Sequence, residues 1–122
     1  MATYNATPLG SGPAAAAIAR GSLVKWDTNG RLAACAVSTT KDVAGVLMEA
    51  ASAIDQIVRY QVLAGTAEAI VLTDNTAITQ GVALYKGASG KVSATSTGSV
   101  QVGTAREATG SVDATLITMA PL

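Results

Sequence analysis

Short apolar runs separated by glycine-containing turns make up most of the chain. Val100 and Val102 alternate with polar residues, which is the period-two pattern of a half-buried strand. Asn29-Gly30 lies between two apolar runs and is a strong hairpin signal. On these grounds we predict strands at residues 22–26, 31–33, 43–47, 57–63, 67–73, 82–86, 91–93, 100–104 and 115–119.

The stretch at residues 17–30 recurs, loosely, at residues 77–90. Four residues find the same residue type 60 positions later (81 − 21): Ala17, Ile18, Gly21 and Gly30. A second block matches at an offset of 58 (103 − 45): Gly45, Glu49, Ala50 and Asp55 correspond to Gly103, Glu107, Ala108 and Asp113. The drop of two residues falls at 38–41, a predicted loop. The pattern predicts an internal duplication, with half-repeats at about 14–64 and 74–122.

The duplication resolves two ambiguous segments. Residues 14–19 are alanine-rich and helical by propensity, but their counterpart at 74–79 is a poor helix sequence, so one short helical turn is predicted at each place. Residues 49–55 could also form a helix, but their counterpart contains Gly110-Ser111, which disfavours one. Both copies are therefore predicted as strand, turn, strand.

Many short strands at close spacing predict an all-β fold, a small β-barrel, β-tulip-like domain or sandwich. Phenylalanine is absent and only 3% of residues are aromatic, so valine, isoleucine, leucine and alanine must build the core. Residues 1–13 contain two prolines and two glycines without periodicity and are predicted to form an extended N-terminal arm before a single domain at 14–122.

The charge content argues against one class of partner. Eight basic and eight acidic residues give a formal charge of zero, and only 13% of residues are charged. No basic stripe is available to neutralise phosphates, so nucleic acid is not a predicted partner. Few surface charges and no net charge favour association with other proteins.

The sequence offers no catalytic constellation. Histidine is absent and Cys35 is the single cysteine, so an intrachain disulfide and a His/Cys metal site are ruled out, and Cys35 is predicted to be a small buried residue. The repeated carboxylate pairs, Glu49 with Asp55 and Glu107 with Asp113, flank small-residue turns. They are predicted to keep strand ends polar or to meet a lysine or arginine of a neighbouring subunit. We assign no catalytic, cofactor-binding or metal-binding residue and predict that the chain is not an enzyme.

No signal peptide is visible, and no apolar run approaches the roughly 18 residues that a membrane span needs. We expect the chain to be made and folded in a cytoplasm and to have no membrane partner.

Several of these residues carry a family resemblance. The order Ala-Ile-x-x-Gly-x-x-Val-x-Trp at residues 17–26, a glycine turn with Arg31-Leu32, and Val-Ala-Gly-Val-Leu-x-Glu-Ala-Ala at 43–51 resemble the capsid decoration (cement) proteins of tailed bacteriophages. The second copy supplies Ile78, Gly81, Leu84-Tyr85 and residues 100–103. The resemblance covers roughly residues 14–119 and is to a family related to lambda-type head decoration proteins.

The resemblance implies a structural virion protein. Its partners would be the major capsid protein and, in a homotrimer, itself, on the outer capsid surface at or near three-fold positions. It would stabilise the expanded head against the pressure of the packaged genome. The alternative is a small carbohydrate- or peptide-binding β module used in virion adhesion. Trp26 is expected either to cap the barrel or to lie in an interface. The candidate partner contacts are Thr3, Tyr4, Asn5, Pro8, Leu9 and Trp26.

Overall fold

Ten strands occur in the computed structural model, which describes residues 9–63, 67–109 and 113–122. They are β1 (Leu9–Pro13), β2 (Leu23–Trp26), β3 (Leu32–Ala34), β4 (Gly45–Leu47), β5 (Ile57–Gln61), β6 (Ala69–Leu72), β7 (Ala83–Lys86), β8 (Val92–Ser93), β9 (Gln101–Ala105) and β10 (Leu116–Pro121). They form two five-stranded sheets, in the orders β1-β5-β4-β2-β3 and β6-β10-β9-β7-β8, and all strand pairs are antiparallel. The predicted all-β fold is confirmed.

The two sheets repeat one another strand by strand. The first five strands (first half, residues 9–63) and the last five (second half, residues 67–122) have the same order. Single bridges outside the strands repeat as well: Ile18 pairs with Ala51 as Ile78 pairs with Thr109. The glycines matched in sequence also match in conformation, with φ of 85° and 88° at Gly21 and Gly81.

The repeat changes register once, within the turn before the last strand of each half. Asp55 and Ala114 both have positive φ, 66° and 59°, and both donate their backbone N–H, to the carbonyls of Ala14 and Thr73 respectively. Asp55 therefore corresponds in structure to Ala114 and not, as the sequence match implied, to Asp113. From there on the match is shifted by one residue, so that Tyr60 corresponds to Met119 and Gln61 to Ala120.

The described end of the predicted arm is part of the domain. Residues 9–13 form β1, which lies at the edge of the first sheet and pairs along its whole length with β5. Its counterpart, β6, precedes residue 74, where the second half-repeat was predicted to begin. The proline of β1 is tolerated because an edge strand needs hydrogen bonds on one side only.

The helical turns predicted at 14–19 and 74–79 are wrong. In both places the chain makes a bridge, Ile18 to Ala51 and Ile78 to Thr109, and so lies along its own half. Among the described residues the helical element is one 3₁₀ turn at Ala88–Gly90. Tertiary contacts with the bridging residues override a propensity that amounts to tenths of a kcal/mol per residue. By contrast, residues 47–61 form strand, turn and strand, as the second copy predicted.

Two apolar clusters form the core, and they divide unequally between the halves. One uses first-half residues alone, among them Val24, Leu47 and Val58. The other combines nine second-half residues with Leu23, Cys35 and Val46 of the first half. The second half therefore completes its core with side chains from the first sheet.

Within the described residues, no helix is long and apolar enough to cross a bilayer.

Candidate functional site

Two aromatic rings lie across one end of the first sheet. Trp26 and Tyr60 pack edge to face, with ring centroids 6.1 Å apart and planes 82° apart. They lie over glycines of the edge strand: a Cβ on Gly10 would come within 2.3 Å of the Tyr60 ring, and one on Gly12 within 2.3 Å of the Trp26 ring. We call this surface, formed by Trp26, Tyr60, Gly10 and Gly12, the aromatic face. Trp26 remains 46% exposed on it.

Leu9 and Trp26, the two predicted contacts that lie within the described residues, are on opposite faces of the first sheet. Leu9 is 52% exposed, like Trp26, but it precedes Gly10, and successive side chains of a strand alternate between faces. Leu9 therefore lies on the face opposite to Trp26. The other predicted contacts, Thr3, Tyr4, Asn5 and Pro8, lie outside the described residues. Tyr60, Gly10 and Gly12 were not predicted, because only the register of β1 on β5 brings them to Trp26.

The corresponding surface of the second sheet is buried. Lys86 occupies the place of Trp26, because Lys86 pairs with Val92 and Trp26 pairs with Leu32, and these two partners are equivalent residues of the next strand. Met119 occupies the place of Tyr60. Lys86 is 1% exposed and Met119 is fully buried. The same position of the duplicated fold is thus covered in one half and partly open in the other.

A loop of the first half covers Lys86. Its Nζ donates hydrogen bonds to Ser38 Oγ at 2.7 Å, to the Thr40 carbonyl at 2.6 Å and to Asp42 Oδ1 at 2.8 Å. Three acceptors satisfy the three donors of an ammonium group, which explains how a charged side chain can be fully buried. The pKa of the Asp42 carboxyl lies below its ordinary value, chiefly because Lys86 donates a hydrogen bond to it.

The repeated carboxylates pair with cations and backbone of the same chain. Asp55 accepts from Arg31 Nε at 2.7 Å, and Asp113 is 2.9 Å from Lys91 Nζ. Glu49 is 3.3 Å from Arg59 Nε, and Glu107 accepts from the Thr118 backbone N–H at 2.9 Å. The acids were predicted to keep strand ends polar or to meet a lysine or arginine of a neighbouring subunit, and the partners found here belong to the same chain.

Where the pKa values of these acids are shifted, they are shifted in the same direction. Arg31 lowers the pKa of Asp55, chiefly through its hydrogen bond, and the hydrogen bonds of Thr118 lower the pKa of Glu107. General acid–base catalysis by two carboxyls requires their pKa values to be moved apart. The lowered pKa values therefore favour the ionised forms of Asp55 and Glu107, which is the opposite of what a proton donor near neutral pH requires.

The single thiol is buried between the halves. Cys35 is 1% exposed, and burial raises its pKa to about 11. A thiol reacts through its thiolate, which is scarce under these conditions. We expect Cys35 of the folded protein to react with a thiol reagent at about pH 8 at least 100-fold more slowly than in about 6 M guanidinium chloride. Timed labelling followed by mass spectrometry measures both rates, and equal rates would contradict the buried position.

The groove between the two halves offers few reactive side chains. A shallow groove of about 580 Å³ runs between the halves and is lined mostly by small side chains, including Ala17, Ala36 and Ser89. Its charged residue, Lys91, is already paired with Asp113. Among residues 9–63, 67–109 and 113–122, no three histidine, cysteine or acidic side chains come together as a metal site would require.

The fold is a duplicated pair of five-stranded antiparallel sheets, and a known structure shares it. That structure is the crystal structure of the N base of the head fiber gp8.5 of bacteriophage phi29. The match has a TM-score of 0.70 and covers 96% of this chain and 95% of that chain, at 16% sequence identity. At this identity the likeness is one of fold. In comparisons by sequence, no protein family and no curated protein matches the chain.

Proposed function

We propose that the chain is a structural protein of a phage head, a decoration protein that binds the outer surface of the expanded capsid at or near its three-fold positions. The observation that carries the proposal is the fold match to a head-fiber base, which spans nearly the whole of both chains. The sequence resemblance to decoration proteins points in the same direction. Its partners are the major capsid protein and, in a homotrimer, further copies of itself, and it is made in the host cytoplasm before assembly.

The physical properties of the chain suit this task. A stable protein that binds the assembled shell and not its separated parts stabilises the shell by mass action. Repetition over the capsid multiplies modest individual contacts. The two sheets share one of the two apolar clusters and an ion pair between the buried Lys86 and the partly exposed Asp42, so the domain resists deformation between its halves.

The proposal is tested by adding purified protein to expanded heads from which decoration has been stripped. We expect saturable binding and a higher temperature of genome release, followed with a DNA-binding dye while the heads are heated. Unexpanded procapsids are the control, and they should bind less. Absence of binding to expanded heads, or binding that leaves the release temperature unchanged, would refute the decoration role.

The predicted contacts at Thr3, Tyr4, Asn5 and Pro8 remain part of the proposal, as a segment that binds the capsid by adding a strand to an exposed sheet edge. Deletion of residues 2–8 is the suitable test, because a deletion of 2–13 would also remove β1 from the first sheet. If the shortened protein coats heads at full occupancy, this segment is not the docking element.

A further inference from the structure

A row of side chains crosses the back of each sheet, which is the face opposite to Trp26 in the first half and opposite to Lys86 in the second. The burial of this row differs between the halves. In the first sheet Leu23 pairs with Val46, and Val46 with Gln61. All three are buried, at 0%, 2% and 8% exposure. The corresponding row of the second sheet is Ala83, Thr104 and Ala120, paired in the same way. These three are only half-buried, and we call them the back row of the second sheet.

The first-sheet row is buried because it packs on the second sheet. Leu23 and Val46 belong to the same core cluster as Leu84 and Met119, and Leu63, which follows β5, packs against that cluster. The surface that they cover is the second-half equivalent of the aromatic face. Leu122, the counterpart of Leu63, is 77% exposed.

Within one chain, therefore, the back of the first sheet covers the front of the second sheet, which is the face that carries Lys86 and Met119. The front of the first sheet and the back of the second sheet do not take part in this contact. The aromatic face, at one end of the front of the first half, has no such cover and leaves Trp26 46% exposed, and the back row of the second half is only half-buried. We propose that the back row of the second sheet packs on the aromatic face of another copy of this chain, in a head-to-tail contact that repeats the contact between the halves.

The two free surfaces complement one another in size. The back row has alanine and threonine where the first sheet has leucine, valine and glutamine. The aromatic face has Trp26 and Tyr60 where the second sheet has Lys86 and Met119. In the proposed contact, larger rings therefore face smaller residues than in the internal one, and the rings also cover Gly10 and Gly12, where the second sheet has Ala69 and Val71.

The two surfaces also match in charge. Inside the chain, Lys86 on one side meets Asp42 on the loop of the other. In the contact between copies, Trp26 replaces the lysine, and the loop that corresponds to residues 36–42 reads Ser-Thr-Gly-Ser-Val at 96–100, without a charged residue. Both members of the ion pair are absent together, so no unpaired charge is buried.

A head-to-tail contact closes into a ring or continues as a filament. The inference gives the homotrimer of the proposed function its contact, and it rests on that part of the proposal. It does not involve the capsid, so it is tested on the purified protein. Failure of the contact would leave capsid binding untouched, and failure of capsid binding would leave the contact untouched.

The single tryptophan of the chain lies on the proposed interface and reports its burial directly. We expect sedimentation velocity from about 10 µM to about 1 mM protein to show association towards a trimer, with a blue shift of tryptophan emission over the same range. Mass that increases without an emission shift would place the contact elsewhere. A monomer throughout this range would also overturn the proposal.

Variants on the two surfaces test each side of the contact. Trp26→Ala and Trp26→Lys should weaken association by about 30-fold, as expected for a central tryptophan in an interface. Thr104→Arg, on the other surface, should weaken it to a similar extent. Leu9→Ala is the matched control, since Leu9 is similarly exposed on the opposite face of the first sheet. Circular dichroism confirms that each variant is folded.

A mixture of Trp26→Ala with Thr104→Arg distinguishes a head-to-tail contact from a symmetric one. Each variant keeps one intact surface, so the mixture should form pairs with the affinity of the wild-type contact and stop at two chains. If the mixture stays monomeric while wild type associates, the two surfaces do not meet and the proposal is wrong.

Discussion

Asp42→Ala should destabilise the protein by about 2–3 kcal/mol, whereas Lys86→Met should change its stability by no more than about 1 kcal/mol. The asymmetry follows from exposure: the Lys86 side chain is fully buried, and that of Asp42 is 28% exposed. Loss of Asp42 leaves a buried ammonium with neutral acceptors only. Loss of the lysine leaves a carboxylate that water can solvate, and methionine fills the space.

Urea unfolding at about pH 7 measures both changes. Lys25→Met is the control, because Lys25 is 3.7 Å from Asp42 on the more exposed side and should contribute less than about 0.5 kcal/mol. If Lys86→Met proves the more damaging of the two main substitutions, the buried ion pair does not join the halves in the way described.

The same pair predicts a dependence on pH. The pKa of Asp42 is lower in the folded protein than its ordinary value near 4, so its contribution is complete above about pH 4 and is lost as the pH falls through the folded value. The wild type should therefore lose stability on acidification, and Lys86→Met should lose less. Asp55 and Glu107 act in the same direction in both proteins, so the comparison isolates Asp42.

Gly45→Ala should cost about 2–3 kcal/mol, because the added methyl group has no space. A Cβ at this position would lie 2.2 Å from the backbone oxygen of Gln61, and it can be accommodated only if β4 moves away from β5. Its counterpart Gly103 is in the same situation, 2.4 Å from the Ala120 oxygen, so Gly103→Ala should have a similar effect.

Gly98→Ala separates this steric effect from backbone strain. Gly98 has a φ of 69°, and a methyl group added there would meet no atom within 4 Å, so the substitution should cost only the roughly 1–2 kcal/mol of a left-handed alanine. Thermal or urea unfolding compares the three variants. A Gly45→Ala protein within about 0.5 kcal/mol of wild type would mean that the two strands are less closely paired than described.

Much of this fold could be predicted from the sequence because most of the strands are marked twice. Hairpin glycines such as Gly30 and Gly90 recur at a fixed spacing, and both adopt the left-handed conformation that glycine favours. The second copy also correctly excluded a helix at 49–55. The turn before the last strand of each half was matched one residue out of register. Asp113 pairs with a cation as Asp55 does, which produced the sequence match, but the residue with the backbone conformation of Asp55 is Ala114.

The remaining features depend on contacts between distant parts of the chain. β1 was not predicted as a strand because two of its residues are glycines, and the reason for them, the rings of Tyr60 and Trp26, is far away in sequence. Lys86 is one of several scattered lysines, and nothing near it in sequence indicates that Ser38, Thr40 and Asp42 surround its ammonium. Of the candidate contacts, Trp26 was identified as a lone amphipathic ring, but the face that it forms with Tyr60 required the strand register.

The unequal division of the apolar clusters bears on how the chain is synthesised. Translation delivers residues 9–63 first, and their cluster is built from that segment alone, so it can condense while the remainder is still in the ribosome. The later segment completes its interior with Leu23, Cys35 and Val46, which by then are already in place. The earlier domain half thus serves as a template for the later one, and the order of the two copies in the gene suits vectorial folding.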